Sequence, residues 1–246
     1  MIGTLLNVAT VMVGGMLGLL FGARLPESLR KTVIAGLGLF VLAYGLYSFL
    51  KTQNPLIVLG SLLIGALLGE WWKIEDGLEY IGKWLESHFN GKQSGDPERD
   101  RRRSTAPSTD FVRGFLTASL VFCVGPMAIL GSIQDGLKGD YSLLAIKSVL
   151  DGFAALAFAS TLGVGVLFSV IVILFFQGGI SLLAAQLSAV VTPAMMAELT
   201  AVGGVLLLGI AVSSLLEIKP IRVGNFLPSL AIAPLVVAFL ALIGIK

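Results

Sequence analysis

Residues 122–160 read FCVGPMAILGSIQDGLKGDYSLLAIKSVLDGFAALAFAS. Two apolar runs flank a short polar turn, yet Gln134, Asp135, Lys147 and Asp151 stand in or beside them. In hydrocarbon a central charge costs about 2.5–3.5 kcal/mol on insertion scales unless it is paired or faces water. Gly125-Pro126 adds a helix break, because proline removes a backbone donor and crowds the preceding turn. Polar groups beside interrupted helices at membrane depth are the material of ion and solute pathways.

The rest of the chain supplies the membrane. Of 246 residues, 56% are hydrophobic and 13% charged, with a mean hydropathy of +0.92, against about 25% charged residues in a soluble domain. Runs of ~20 mainly apolar residues, the length a span needs, predict helices near 3–22, 32–50, 56–72, 111–131, 143–161, 164–190, 198–216 and 223–243. The first run lacks a basic leader, so it reads as a retained span and not a cleaved signal peptide. The fold class is therefore all-α and polytopic, with about eight transmembrane helices. One cysteine, Cys123, and one histidine, His88, exclude an intrachain disulfide and any Cys- or His-rich metal centre. No cofactor is expected.

Between the third and fourth spans, residues 73–89 carry Ile74, Leu78, Ile81 and Leu85 at helical spacing with charges opposite. Such a helix lies in the headgroup plane. Residues 90–110 are polar, with Gly and Pro, and read as a flexible linker. Its Arg101-Arg102-Arg103 run beside a span is a topology signal and an anionic-lipid contact, so no nucleic-acid partner is expected. Placing the loop after span one inside puts 13 Lys/Arg on the cytoplasmic side against 3 outside, with Lys147 within a span. By the positive-inside bias both termini lie outside a bacterial inner membrane.

LPESLRKTVIAGLGLFVLAYGL (25–46) aligns without gaps on VTPAMMAELTAVGGVLLLGIAV (191–212), matching Pro26 to Pro193 and Gly36 to Gly203. NPLIVLGSLLIGALLG (54–69) follows on KPIRVGNFLPSLAIAP (219–234), and Gly14-Gly15 on Gly178-Gly179 with a gap. Spans 1–3 thus match spans 6–8. Five spans separate the copies, so they insert oppositely, as in many secondary transporters. The divisions are 1–72 (first repeat), 73–110 (amphipathic helix and basic linker), 111–163 (central pair) and 164–246 (inverted repeat). Gly14, Gly18 and Gly22 form a small-residue face, which favours packing within one subunit over a homo-oligomer seam.

Lys147 and Asp151, four apart, share a helix face and can pair. Either the pair only neutralises two buried charges, or Asp151 binds a cation or proton while Lys147 is a counter-charge displaced in the cycle. Asp135 is a vestibule carboxylate or, if the helix breaks at Gly125-Pro126, part of a midplane site. Gln134, Gln177, Asn225 and Asn7 add neutral oxygens suited to a small cation or small polar solute. Gly178-Gly179 and Pro228 are read as further helix breaks. Among enzymes, phosphate-loop and zinc spacings are missing and no histidine is placed to activate a nucleophile; the protein is read as a non-enzyme.

GTLLNVATVMVGGMLG near the N-terminus, VGPMAILGSIQDGLKGD and KSVLDGFAALAFAS together resemble the YqgA/YdfK family of uncharacterised bacterial membrane proteins, over essentially the whole chain. That resemblance implies an inner-membrane protein sometimes described as a sodium channel or pump, with no catalytic residues to carry over. Residues 124–165 are similar in style, more loosely, to lysine-exporter-type transporters. The reading is an ion-coupled transporter or ion pathway. A passive channel is its rival, and a non-transporting scaffold or sensor using 73–110 is a third.

Overall fold

A computed structural model describes residues 1–22, 26–77, 80, 107–123 and 126–243. Helix dominates, and no strand occurs among the described residues. The long helices are α1 (Ile2–Gly22), α2 (Glu27–Phe49), α3 (Pro55–Trp72), α4 (Pro107–Cys123), α5 (Pro126–Lys138), α6 (Ser142–Leu162) and α7 (Gly165–Leu182). After the short α8 (Ala184–Val190) come α9 (Pro193–Ile210), a π-helical turn over Ala211–Leu215, a 3-10 turn over Val223–Phe226 and α10 (Ser229–Leu242). Local chemistry sets several starts. Asn54 and Thr192 accept from the N–H groups of Leu56 and Met195, at 3.1 and 3.2 Å, each followed by proline at the first helical position. Both are favourable N-terminal arrangements.

Several boundaries differ from expectation. The single span over 111–131 is two helices bent by 60°, with Pro126 opening the second; Gly125 lies outside the described residues. Residues 107–110, read as linker, are the first turn of α4. The sixth span breaks at Leu183 and not at Gly178-Gly179, which continue α7. Glycine is tolerated inside a membrane helix because neighbouring helices and the intact ladder hold its backbone. Of the amphipathic segment, 74–77 and 80 are helical; the remainder of that segment, and the linker before 107, lie outside the described residues.

Helix directions fix the number of crossings. A Cβ added at Gly14, Gly18 or Gly22 would strike the backbone of Gly152, Leu156 or Ser160 respectively. The two residue series rise together, so α1 and α6 run parallel. Three crossings must separate them: α2, α3 and the α4–α5 pair, which therefore traverses once. The same count makes α2 and α9 antiparallel, as their contacts require: Gly38 meets Leu216, and Gly45 meets Gly204. Among the described residues seven helices are long and apolar enough to span, and the bent pair makes eight. The core between them centres on Val11, Phe122, Phe158, Val166, Ile173 and Leu207.

Candidate functional site: a polar cluster between α1, α6 and α7

The close α1–α6 packing has a consequence for Asn7. With small residues at the crossing, its side chain lies fully buried against α6 and α7. Its Nδ2 donates to Asp151 Oδ2 at 2.9 Å and to Gln177 Oε1 at 3.3 Å. One turn earlier on α6, Lys147 Nζ donates to the same Asp151 Oδ2. Lys147 and Asp151 are 6% and 7% exposed, so both charges are withdrawn from solvent. Asp151 is nine residues into the 21-residue α6, about 13 Å along its axis, and so close to mid-span. Such burial is tolerated because each charge answers the other.

The cluster's hydrogen bonding is incomplete. Asn7 Oδ1, Gln177 Nε2 and the neighbouring Thr4 Oγ1 are buried and have no partner among the described residues. An acceptor, a donor and a hydroxyl are thus left open beside an ion pair. A buried polar group left unmade costs about 1–3 kcal/mol. Such groups persist where something else satisfies them, such as water or a ligand.

Four of the seven predicted ligands are therefore brought together, and three are not. Asp135 is buried, but near the end of α5. Its Oδ2 accepts from Gly3 N–H at 3.0 Å and its Oδ1 lies 3.0 Å from the Met1 amine. It seats the positive end of the α1 dipole and is not a midplane ligand. Gln134 is exposed; adjacent helical positions diverge by about 100°, so only one of the two can face inward. Asn225 belongs to the opposite end of the bundle. Its Oδ1 accepts from Glu75 N–H at 2.8 Å and its Nδ2 donates to Glu70 Oε2 at 2.5 Å. Arg222 lies 3.6 Å from Glu70 there. Pro228 immediately precedes α10 and follows the 3-10 turn, so it marks a helix start, not a break inside one.

Glu198 was not anticipated. It is 1% exposed and accepts from Thr52 Oγ1, Gln53 N–H and Asn54 N–H at 2.6, 2.8 and 3.0 Å. The signal was Thr192-Pro193, a helix start that places Glu198 in the second turn of α9; the predicted span began only at Glu198. Asp140, in the turn before α6, is exposed, and hydrogen bonding from Ser142 holds its carboxyl below the usual range.

An apolar cavity of about 600 Å³ opens between α4, α5, α7, α8, α9 and α10. Its lining includes none of Asn7, Lys147, Asp151 and Gln177.

Comparison with known proteins agrees with this architecture. Over 242 residues, and 98% of both chains, the sequence is 36% identical to the uncharacterized protein YqgA of Escherichia coli (strain K12). It is 28% identical over the full length of both chains to the uncharacterized membrane protein YdfK of Bacillus subtilis (strain 168). No solved structure matches. A family model described as protein of unknown function (DUF554) covers residues 2–238. The chain, an all-helical multi-pass membrane protein, therefore belongs to the DUF554 family.

Proposed function

We propose that the protein is an ion-coupled carrier of the inner membrane, in which Asp151 binds a proton or small cation, or orients a small polar solute. The observation that carries this reading is the open hydrogen-bonding capacity of Asn7 and Gln177 beside the buried Lys147–Asp151 pair. Groups that only neutralised each other would not leave an amide oxygen and an amide N–H idle. Among the described residues no three carboxylate, Cys or His groups converge, so the donor set suits a proton or a monovalent cation better than a multiply liganded divalent one. Lys147 serves as a tethered cation that neutralises Asp151 when the site is empty, and moves aside on loading.

The matched sequence segments also pack as neighbours, α2 on α9 and α3 on α10, each pair antiparallel. That arrangement supports an inverted repeat whose halves rock about the cluster. The Lys/Arg bias places the end bearing Arg113, Lys219 and Arg222 in the cytoplasm and both termini outside. A cluster absent from the lining of the large cavity favours an occluded carrier over an open pore.

Flux into proteoliposomes, read with a pH dye and with ²²Na⁺, tests the proposal. Wild type is expected to accumulate the ion against a gradient, and Asp151→Asn to lose that uptake. Equal uptake by both proteins would refute the site. Flux that never saturates and never runs uphill would make the protein a channel.

A further inference from the structure

Arg113, near the start of α4, uses only part of its guanidinium. Its Nη1 donates to Glu217 at 2.6 Å, while Nε and Nη2, side by side on the other edge, are buried with no acceptor among the described residues. That edge is the fork that takes two oxygens of one carboxylate or phosphate. Arg113 lies at the end of the bundle where Lys219 and Arg222 also gather.

The apolar cavity begins one turn away. Leu116 and Leu120, three and seven residues beyond Arg113 on the same face of α4, line it, and Cys123 does so at the helix end. From Arg113 to Cys123 is about 15 Å along the axis, half of a hydrocarbon core ~30 Å thick. The volume, about 600 Å³, lies within the roughly 300–1,000 Å³ of small-molecule sites. An anion fork thus stands one turn from the α4 wall of an apolar slot that runs from Leu116 and Leu227 at that end of the bundle to Leu187, Val190 and Val191 at the other.

We infer that this is a phospholipid site: the phosphate of a lipid from the leaflet at Arg113's end sits on Arg113 Nε and Nη2, and an acyl chain lies in the cavity between α4 and α10. The assignment is independent of the transport reading. An acyl chain there would wedge between the bent α4–α5 pair and α9–α10.

The full chain, delipidated in mild detergent, is titrated with dioleoyl phosphatidylglycerol, with dioleoylglycerol and with glycerol 3-phosphate. Retention is read by native mass spectrometry and stability by thermal unfolding. Phosphatidylglycerol alone is expected to be retained and to raise the melting temperature. Arg113→Gln and the cavity-filling Leu120→Trp should each weaken it about tenfold, or 1.4 kcal/mol. Glu217→Gln, which breaks the ion pair but spares the fork, should bind at least as tightly as wild type. Equal retention of dioleoylglycerol would reduce the cavity to ordinary apolar solvation, and equal binding of glycerol 3-phosphate would make it a free-phosphate site. Either result overturns the assignment, as does Leu120→Trp binding like wild type. If Arg113→Gln fails to fold, the two ligand controls and Leu120→Trp still decide.

Discussion

Two buried acids, Glu198 and Asp151, sit in one bundle and are treated differently. Glu198 receives three donors from the turn between α2 and α3, with no cation involved. It does for that turn what a cap does for a helix: it gathers main-chain N–H groups that no ladder can use. Asp151 receives one ammonium and one amide, and the amides around it keep unused atoms. A polar group whose partners are all accounted for needs nothing further. One beside spare donors and acceptors has room for water or a ligand. Asn225 falls with Glu198 in this comparison, since both ends of its amide are taken.

The largest effect should come from removing the ion pair altogether. Lys147→Met combined with Asp151→Leu replaces two buried charges by apolar side chains of similar volume. Such replacements are often neutral or stabilising by about 1–4 kcal/mol. The double variant is therefore expected to fold as well as wild type, with an equal or higher melting temperature, and to carry no ion. A marked loss of stability would place Asp151 in the same class as Glu198 and erase the contrast. Asp151→Asn alone is less clean, because it strands Lys147 without its partner.

Glu198→Ala should do the reverse. It leaves the Gln53 N–H and the Thr52 hydroxyl without an acceptor, and the Asn54 N–H with only its 3.2 Å bond to Thr52 Oγ1, at about 1–3 kcal/mol for each group that water does not reach. Unfolding in detergent should shift by about 3 kcal/mol, while flux per folded molecule stays near wild type. Ion uptake lost in proportion to Asp151→Asn would instead make Glu198 part of the pathway.

Much of this contrast could be read from residues, and the remainder could not for definable reasons. Hydropathy alone places the spans, because ~20 apolar residues admit few other states. Asn7, Lys147, Asp151 and Gln177 stand out as polar groups inside such runs. Gly125-Pro126 reads as a break, and Pro126 is the first residue of α5 after the α4–α5 bend. What a linear pattern cannot supply is the partner. Asp135 bonds to the main chain of Gly3, more than a hundred residues away, and main-chain donors have no sequence signature. Asn225 looked like a span residue until the 3-10 turn carried it to the end of the bundle, where Gly69 of α3 admits its backbone so closely that any Cβ would collide. Gln134 failed on geometry that was available: beside an inward Asp135 it had to point away.

Gln177 offers the smallest effect and the finest test. Its Oε1 accepts from Asn7 at 3.3 Å, a long bond, and its Nε2 donates to nothing among the described residues. If the amide merely braced Asn7, Gln177→Leu would give up one weak hydrogen bond and relieve one buried orphan. The net change in stability would then be within about 1 kcal/mol, and transport would be unaltered. If Nε2 instead meets the transported species, stability should again barely move, but the concentration for half-maximal uptake should rise several-fold while maximal rate holds. Gln177→Glu separates the two further. It keeps an acceptor for Asn7 and adds a carboxylate beside Asp151, so it should tighten a cation site and weaken one that donates to an anionic or carbonyl oxygen. The sign of that change tells whether the spare groups around Asp151 face a cation directly or a solute that travels with it.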